Sequence, residues 1–129
     1  MNLKTPFLLL TVALCVSTTV LIRADEPLEF STQQIEFFEN KIRPLIVSHC
    51  IECHGADVQE SELRLDSRAA IFQSGAEAKI GQVLSYTGEV KMPPDGKLSD
   101  AEIAAMKQWV AMKLPWPSGE KAMIRTWVP

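Results

Sequence analysis

The chain has 129 residues, 47% of them hydrophobic and 22% charged. That composition excludes a wholly disordered chain, a collagen-like repeat and a disulfide-dense scaffold, and the length supports one domain. A net charge of −3 with no basic cluster argues against nucleic acid as a partner.

The first element is a leader. Lys4 stands in a short basic start, Phe7 to Ile22 runs without a charge, and Arg23-Ala24-Asp25-Glu26-Pro27 turns abruptly polar. The pattern predicts a secretory signal peptide over residues 1–24, cut after Ala24. The alternative is an uncleaved anchor through residues 7–22, the one route to a membrane association. Cys15 belongs to this leader and has no assigned role. Lys4 and Arg23 leave with the leader and no acid does, so the exported chain is more acidic still.

Residues 25–117 are expected to form the domain and 118–129 a tail. Ser31 and Gln34 form a capping box, with Phe30 and Ile35 placed as a hydrophobic staple. Ile35, Phe38, Ile42, Leu45 and Ile46 follow at helical spacing, and Pro44 is expected to kink that helix or end it early. Gly55 to Glu62 reads as loop. Asp66 is a candidate cap for a short helix through Phe72 that stops at Gly75. Ile80, Val83 and Leu84 share one face of a further helix that Gly88 could close. Met92-Pro93-Pro94-Asp95-Gly96 reads as irregular backbone. Ser99 and Glu102 make a second capping box, opening a helix whose inner face is Ile103, Met106 and Val110, with Trp109 beside them. No internal repeat and no sustained strand alternation is present, so the expected fold class is all-α.

One motif carries the chemistry. Cys50-Ile51-Glu52-Cys53-His54 is C-x-x-C-H, the attachment pattern of c-type haem. Two thiols on one turn reach two vinyl groups, and the next residue turns its imidazole to the iron. Cys50 and Cys53 become thioethers, which accounts for both cysteines outside the leader, and export supplies the compartment. Three alternatives compete. A structural zinc site needs ligands from separated stretches, yet Cys50, Cys53, His54 and His49 all lie together. A redox C-x-x-C needs a strand-helix frame that is not evident. A plain disulfide leaves His54 unexplained.

His54 is thus the proximal iron ligand, and the distal position calls for another donor or stays open. Met106 reads as core, Met112 lies further along the same helix and Met123 lies in the tail. Met92 sits in a loop stiffened by Pro93 and Pro94, where a thioether can be held at little entropic cost. It is the preferred distal ligand, and Lys91 is the alternative. His49 is too close to Cys50 to reach the far face.

Several stretches together resemble the planctomycete-type cytochrome c domain. They are Phe37 to Ile46, the Cys50 to His54 motif, Leu63-Arg64-Leu65-Asp66-Ser67-Arg68, Val90 to Asp100, and Trp109 to Pro117. The resemblance implies a class I cytochrome c fold around one haem c, with His54 proximal and Met92 distal. It also implies extracytoplasmic electron transfer. Members usually carry a longer segment, with a Pro-Gly turn and a Ser, before the helix that here follows Gly75 almost at once. One haem edge is therefore expected to be more open to solvent or small ligands. Members are often fused to large further domains, so the expected partner here is a separate redox protein or enzyme complex.

The expected function is a periplasmic one-electron carrier and not an enzyme, since no nucleophile motif, second metal motif or phosphate loop is present. A haem-based sensor with a labile sixth site is the first alternative. A relay subunit of a larger redox complex is the second, with Trp116 and Trp127 in an apolar tail as its pointer.

Overall fold

The computed structural model describes residues 29–125. The expected leader and Trp127 lie outside the described residues. The order of elements is α1 (Thr32–Phe37), a π-helical stretch (Phe38–Ile42), α2 (Arg43–His49), α3 (Arg68–Ser74), α4 (Glu77–Leu84) and α5 (Asp100–Ala111). Short 3-10 turns span Glu60–Glu62 and Gly119–Ala122. Among the described residues there is no strand, and the fold is all-α as expected. No described helix is long and apolar enough to cross a membrane.

Both capping boxes form. The Ser31 hydroxyl accepts from the Gln34 amide while the Gln34 side chain accepts from Ser31 N–H, and Ser99 and Glu102 repeat the arrangement at the start of α5. Each box satisfies two backbone donors that a helix start leaves unpaired.

Pro44 neither ends the first helix nor breaks it. It sits in the first turn of α2, and the turn before it widens to π geometry, with Arg43 N–H donating to the Phe38 carbonyl. A proline cannot donate, so the wider register absorbs the missing bond without stopping the rod. Arg43 braces the widened turn. Its guanidinium pairs with Glu39 at 2.6 Å, lies 5.0 Å from the Phe38 ring centroid and donates to the Lys121 carbonyl.

Two further expectations change. Ser67, not Asp66, caps α3, because the Asp66 carboxylate is fully buried and bound to Arg64 by two bonds of 3.0 and 2.6 Å. Gly75 does stop that helix, with φ of 69° in the left-handed region that glycine enters at no steric cost. Gly88 does not close α4. That helix ends at Leu84, and Tyr86 takes the left-handed conformation.

The core lies where α5 crosses the π stretch and packs on α4. Phe38, Trp109 and Trp116 meet at its centre, with ring centroids 4.5 to 6.0 Å apart. Such tilted aromatic groups combine large apolar burial with favourable ring electrostatics. Trp109 is wholly enclosed and Val110 only partly, so the tryptophan occupies the inner face of α5. Its indole N–H donates to the Pro115 carbonyl at 2.9 Å.

Trp116 is also core. Its indole donates to the Ala122 carbonyl, and Ile124 is buried with its N–H on the Asp66 carbonyl. Residues 118–125 thus return to the helices. Trp116 is engaged in internal packing.

Candidate functional site

The Cys50 to His54 segment winds as one turn off the end of α2. Cys50 N–H continues the helix to Ile46, and Cys53 and His54 N–H both turn back to the Cys50 carbonyl, at 3.3 and 2.9 Å. The winding gathers Cys50, Cys53 and His54 along one wall. Gly55 then allows a close approach, because a Cβ there would lie 2.6 Å from the Ile51 carbonyl oxygen. The His54 carbonyl accepts from Leu65 N–H at 2.7 Å and the Cys53 carbonyl from Glu60 N–H at 2.9 Å, so the loop is laced to the turn.

Above this wall is a cavity of about 760 Å³. Its volume falls in the range of small-molecule and cofactor sites, roughly 300–1,000 Å³. Cys50, Cys53 and His54 line one part of it, Leu63 and Leu65 another, and Ile80 and Val83 of α4 a third. Met92 and Pro93 complete it from the loop before α5, and Met106 lies beneath. The lining is mainly apolar, as a flat hydrophobic cofactor requires.

The loop that brings Met92 here is tied on both sides. Met92 N–H donates to the Val83 carbonyl at 3.2 Å, and the Tyr86 hydroxyl donates to the Pro93 carbonyl. Pro93 itself is buried. Lys91, the alternative ligand, is exposed and outside the lining. His49 is exposed at the edge of the cavity.

The donor set fits haem c. Cys50 and Cys53 are free thiols in this structure. Burial pushes the Cys50 thiol up to about 12, which keeps it neutral. The His54 side chain is only 9% exposed, and its Nδ1 is enclosed without a hydrogen-bond partner. A buried polar atom of that kind calls for a partner, and the imidazole lines the cavity, where a ring nitrogen is available to a metal group. Among the described residues, no three His, Cys, Asp or Glu side chains converge to hold a bare metal ion.

Comparison with known proteins bears on the same stretch. Residues 50–96 match the family Planctomycete cytochrome C. The matched cytochrome c segment opens on Cys50 and closes on Gly96, so it holds both the attachment motif and the Met92 loop, and it bears out the resemblance. A search of curated proteins and one of solved structures returned no match.

Sequence reasoning missed two contributors to this site. Tyr86 holds the Met92 loop from a left-handed backbone position, and Lys79 lines the cavity from α4. Neither lies in a motif. Their roles depend on how α4 faces the Cys50 to His54 turn, which no local pattern encodes.

Proposed function

We propose that the chain is a mono-haem c-type cytochrome that carries single electrons outside the cytoplasm. One observation carries the reading. Cys50, Cys53 and His54 line the same apolar cavity as Met92, which is distant in sequence. Cys50 and Cys53 would hold the group through thioethers, and His54 and Met92 would supply donors to its iron. When bound, haem supplies one-electron exchange at its iron, and Met/His ligation raises the potential.

The remaining work belongs to the chain. Leu63, Leu65, Ile80 and Val83 keep water from the macrocycle face, and low polarity there favours the form of lower charge. The Val83 and Tyr86 ties restrain the Met92 loop, so ligand geometry changes little between oxidation states. The leader composition supports export, and the acidic balance suits a separate redox protein with a basic surface.

Absorption spectra of protein matured in an oxidising compartment test this reading. A sharp low-spin reduced spectrum, unmoved by carbon monoxide and lost on Met92→Ala, is expected. A carbon monoxide shift in the unsubstituted protein would replace the carrier with a ligand-binding module. Absence of covalent haem would overturn both.

A further inference from the structure

The cavity wall is apolar except for a few charged groups. Besides the two cysteines and His54, its titratable lining is His49 of α2, Glu60 of the first 3-10 turn, Lys79 of α4 and Glu89 of the following loop. Lys79 is the one lysine or arginine in that lining. Among the described residues its ammonium makes no ion pair, although Glu60 and Glu89 border the same space. Gln82 stands one turn further along α4 and also reaches the cavity. Residues three apart on a helix share a face. α4 therefore offers a polar edge, Lys79 and Gln82, beside its apolar Ile80 and Val83.

Haem carries two carboxylates on the edge of the macrocycle away from its vinyl groups. A haem held through Cys50 and Cys53 turns those carboxylates from the thiols toward another element. Glu60 and Glu89 would repel them, and a flexible lysine at a cavity rim can lay its stem on apolar surface while its head meets an anion. Resting on the haem reading above, we propose that Lys79 receives a haem propionate and that Gln82 donates to the same edge. Lys79 is then a positioning residue with an electrostatic consequence. A nearby cation disfavours the oxidised haem, which carries one more positive charge, and so raises the midpoint potential. It also keeps the propionate ionised to lower pH.

The test is the midpoint potential against pH of the haem-loaded full chain. Lys79→Gln is expected to lower the potential and to move its propionate-linked step to higher pH. Lys79→Arg should restore both. Lys107→Gln, on the exposed side of α5 and outside the lining, should leave both in place. Gln82→Glu keeps the side-chain size at an exposed position and puts a negative charge at the same edge. It should shift both readouts in the direction of Lys79→Gln, and it serves if that variant does not fold. A Lys79→Gln protein whose potential and pH step coincide with those of Lys107→Gln overturns the assignment alone. Absence of covalent haem from the unsubstituted chain overturns this assignment together with the reading beneath it.

Discussion

Asp66 shows how one side chain can reorganise its surroundings. Its carboxylate is wholly buried and takes both bonds of the Arg64 guanidinium, while its carbonyl accepts from Ile124. Hydrogen bonding to Asp66, reinforced by its charge, raises the Arg64 guanidinium further above its ordinary value. A buried ion pair is not in itself strongly stabilising, but removing one partner strands the other charge. Arg64 still reaches solvent and Asp66 does not. Arg64→Ala should therefore lower the denaturation midpoint more than the double variant Arg64→Ala, Asp66→Leu, which leaves no charge behind. Urea titrations of the two proteins check the order, and equal midpoints would mean that water reaches the carboxylate. Asp66 looked like a helix cap in the sequence because its residue type is a good one. Its use as a buried anion depends on Arg64 and on the tail folding over it, and neither follows from residue type.

The elements divide by how local their causes are. Both capping boxes, the stop at Gly75 and the apolar face through Phe38, Ile42 and Ile46 were legible, because each rests on residues within one or two turns. The π stretch was not. Proline excludes a hydrogen bond, but whether the chain breaks or widens there depends on Arg43 reaching Glu39 and Lys121. The end of α4 escaped as well, since Tyr86 accepts a left-handed backbone in a setting that includes its bond to Pro93. Within the site, Cys50, Cys53 and His54 were legible because they are contiguous. Met92 was legible because two prolines mark its loop, whereas Lys79 required the packing of α4. Gly81 lies inside α4 with open space where a Cβ would go. Gly81→Ala should stabilise the protein by roughly 0.5–1 kcal/mol, read from the denaturation midpoint, because it removes backbone freedom from the unfolded chain. Ser99→Ala should cost about 1 kcal/mol through the lost cap of α5. The same cap has a pH signature. Hydrogen bonds from the Ser99 hydroxyl and backbone hold the Glu102 carboxyl below the usual carboxylate range. A carboxyl lowered on folding contributes stability above its unfolded value, about 4.3, and loses it as pH falls through the folded value. The stability difference between the unsubstituted protein and Glu102→Gln should be constant near neutrality and shrink below that value. A difference independent of pH would remove the carboxylate from the cap.

At the scale of the whole molecule, the cavity and the core compete for a small number of apolar residues. Ile80, Leu84 and Met106 belong to the packed cluster, and each of them also faces the cavity. A domain of this size buries a limited fraction of its apolar surface, and typical stabilities are only about 5–15 kcal/mol. Without a bound group, a largely apolar cavity of about 760 Å³ leaves apolar wall in contact with water. That loss of burial is large against so small a margin of stability. The fold around Met92 and α4 is thus expected to depend on the group the cavity takes. The π stretch and α5 depend on it less, since Phe38, Trp109 and Trp116 bind them to one another and to the segment after α5 away from the lining. Cys50→Ser, Cys53→Ser, which cannot form the thioethers, should therefore keep part of its helical circular dichroism and lose cooperative melting. Amide exchange should be fast in α4 and in the Met92 loop and slower where α5 crosses the π stretch. A variant that melts cooperatively with protected α4 amides would show instead that the protein core alone specifies the cavity.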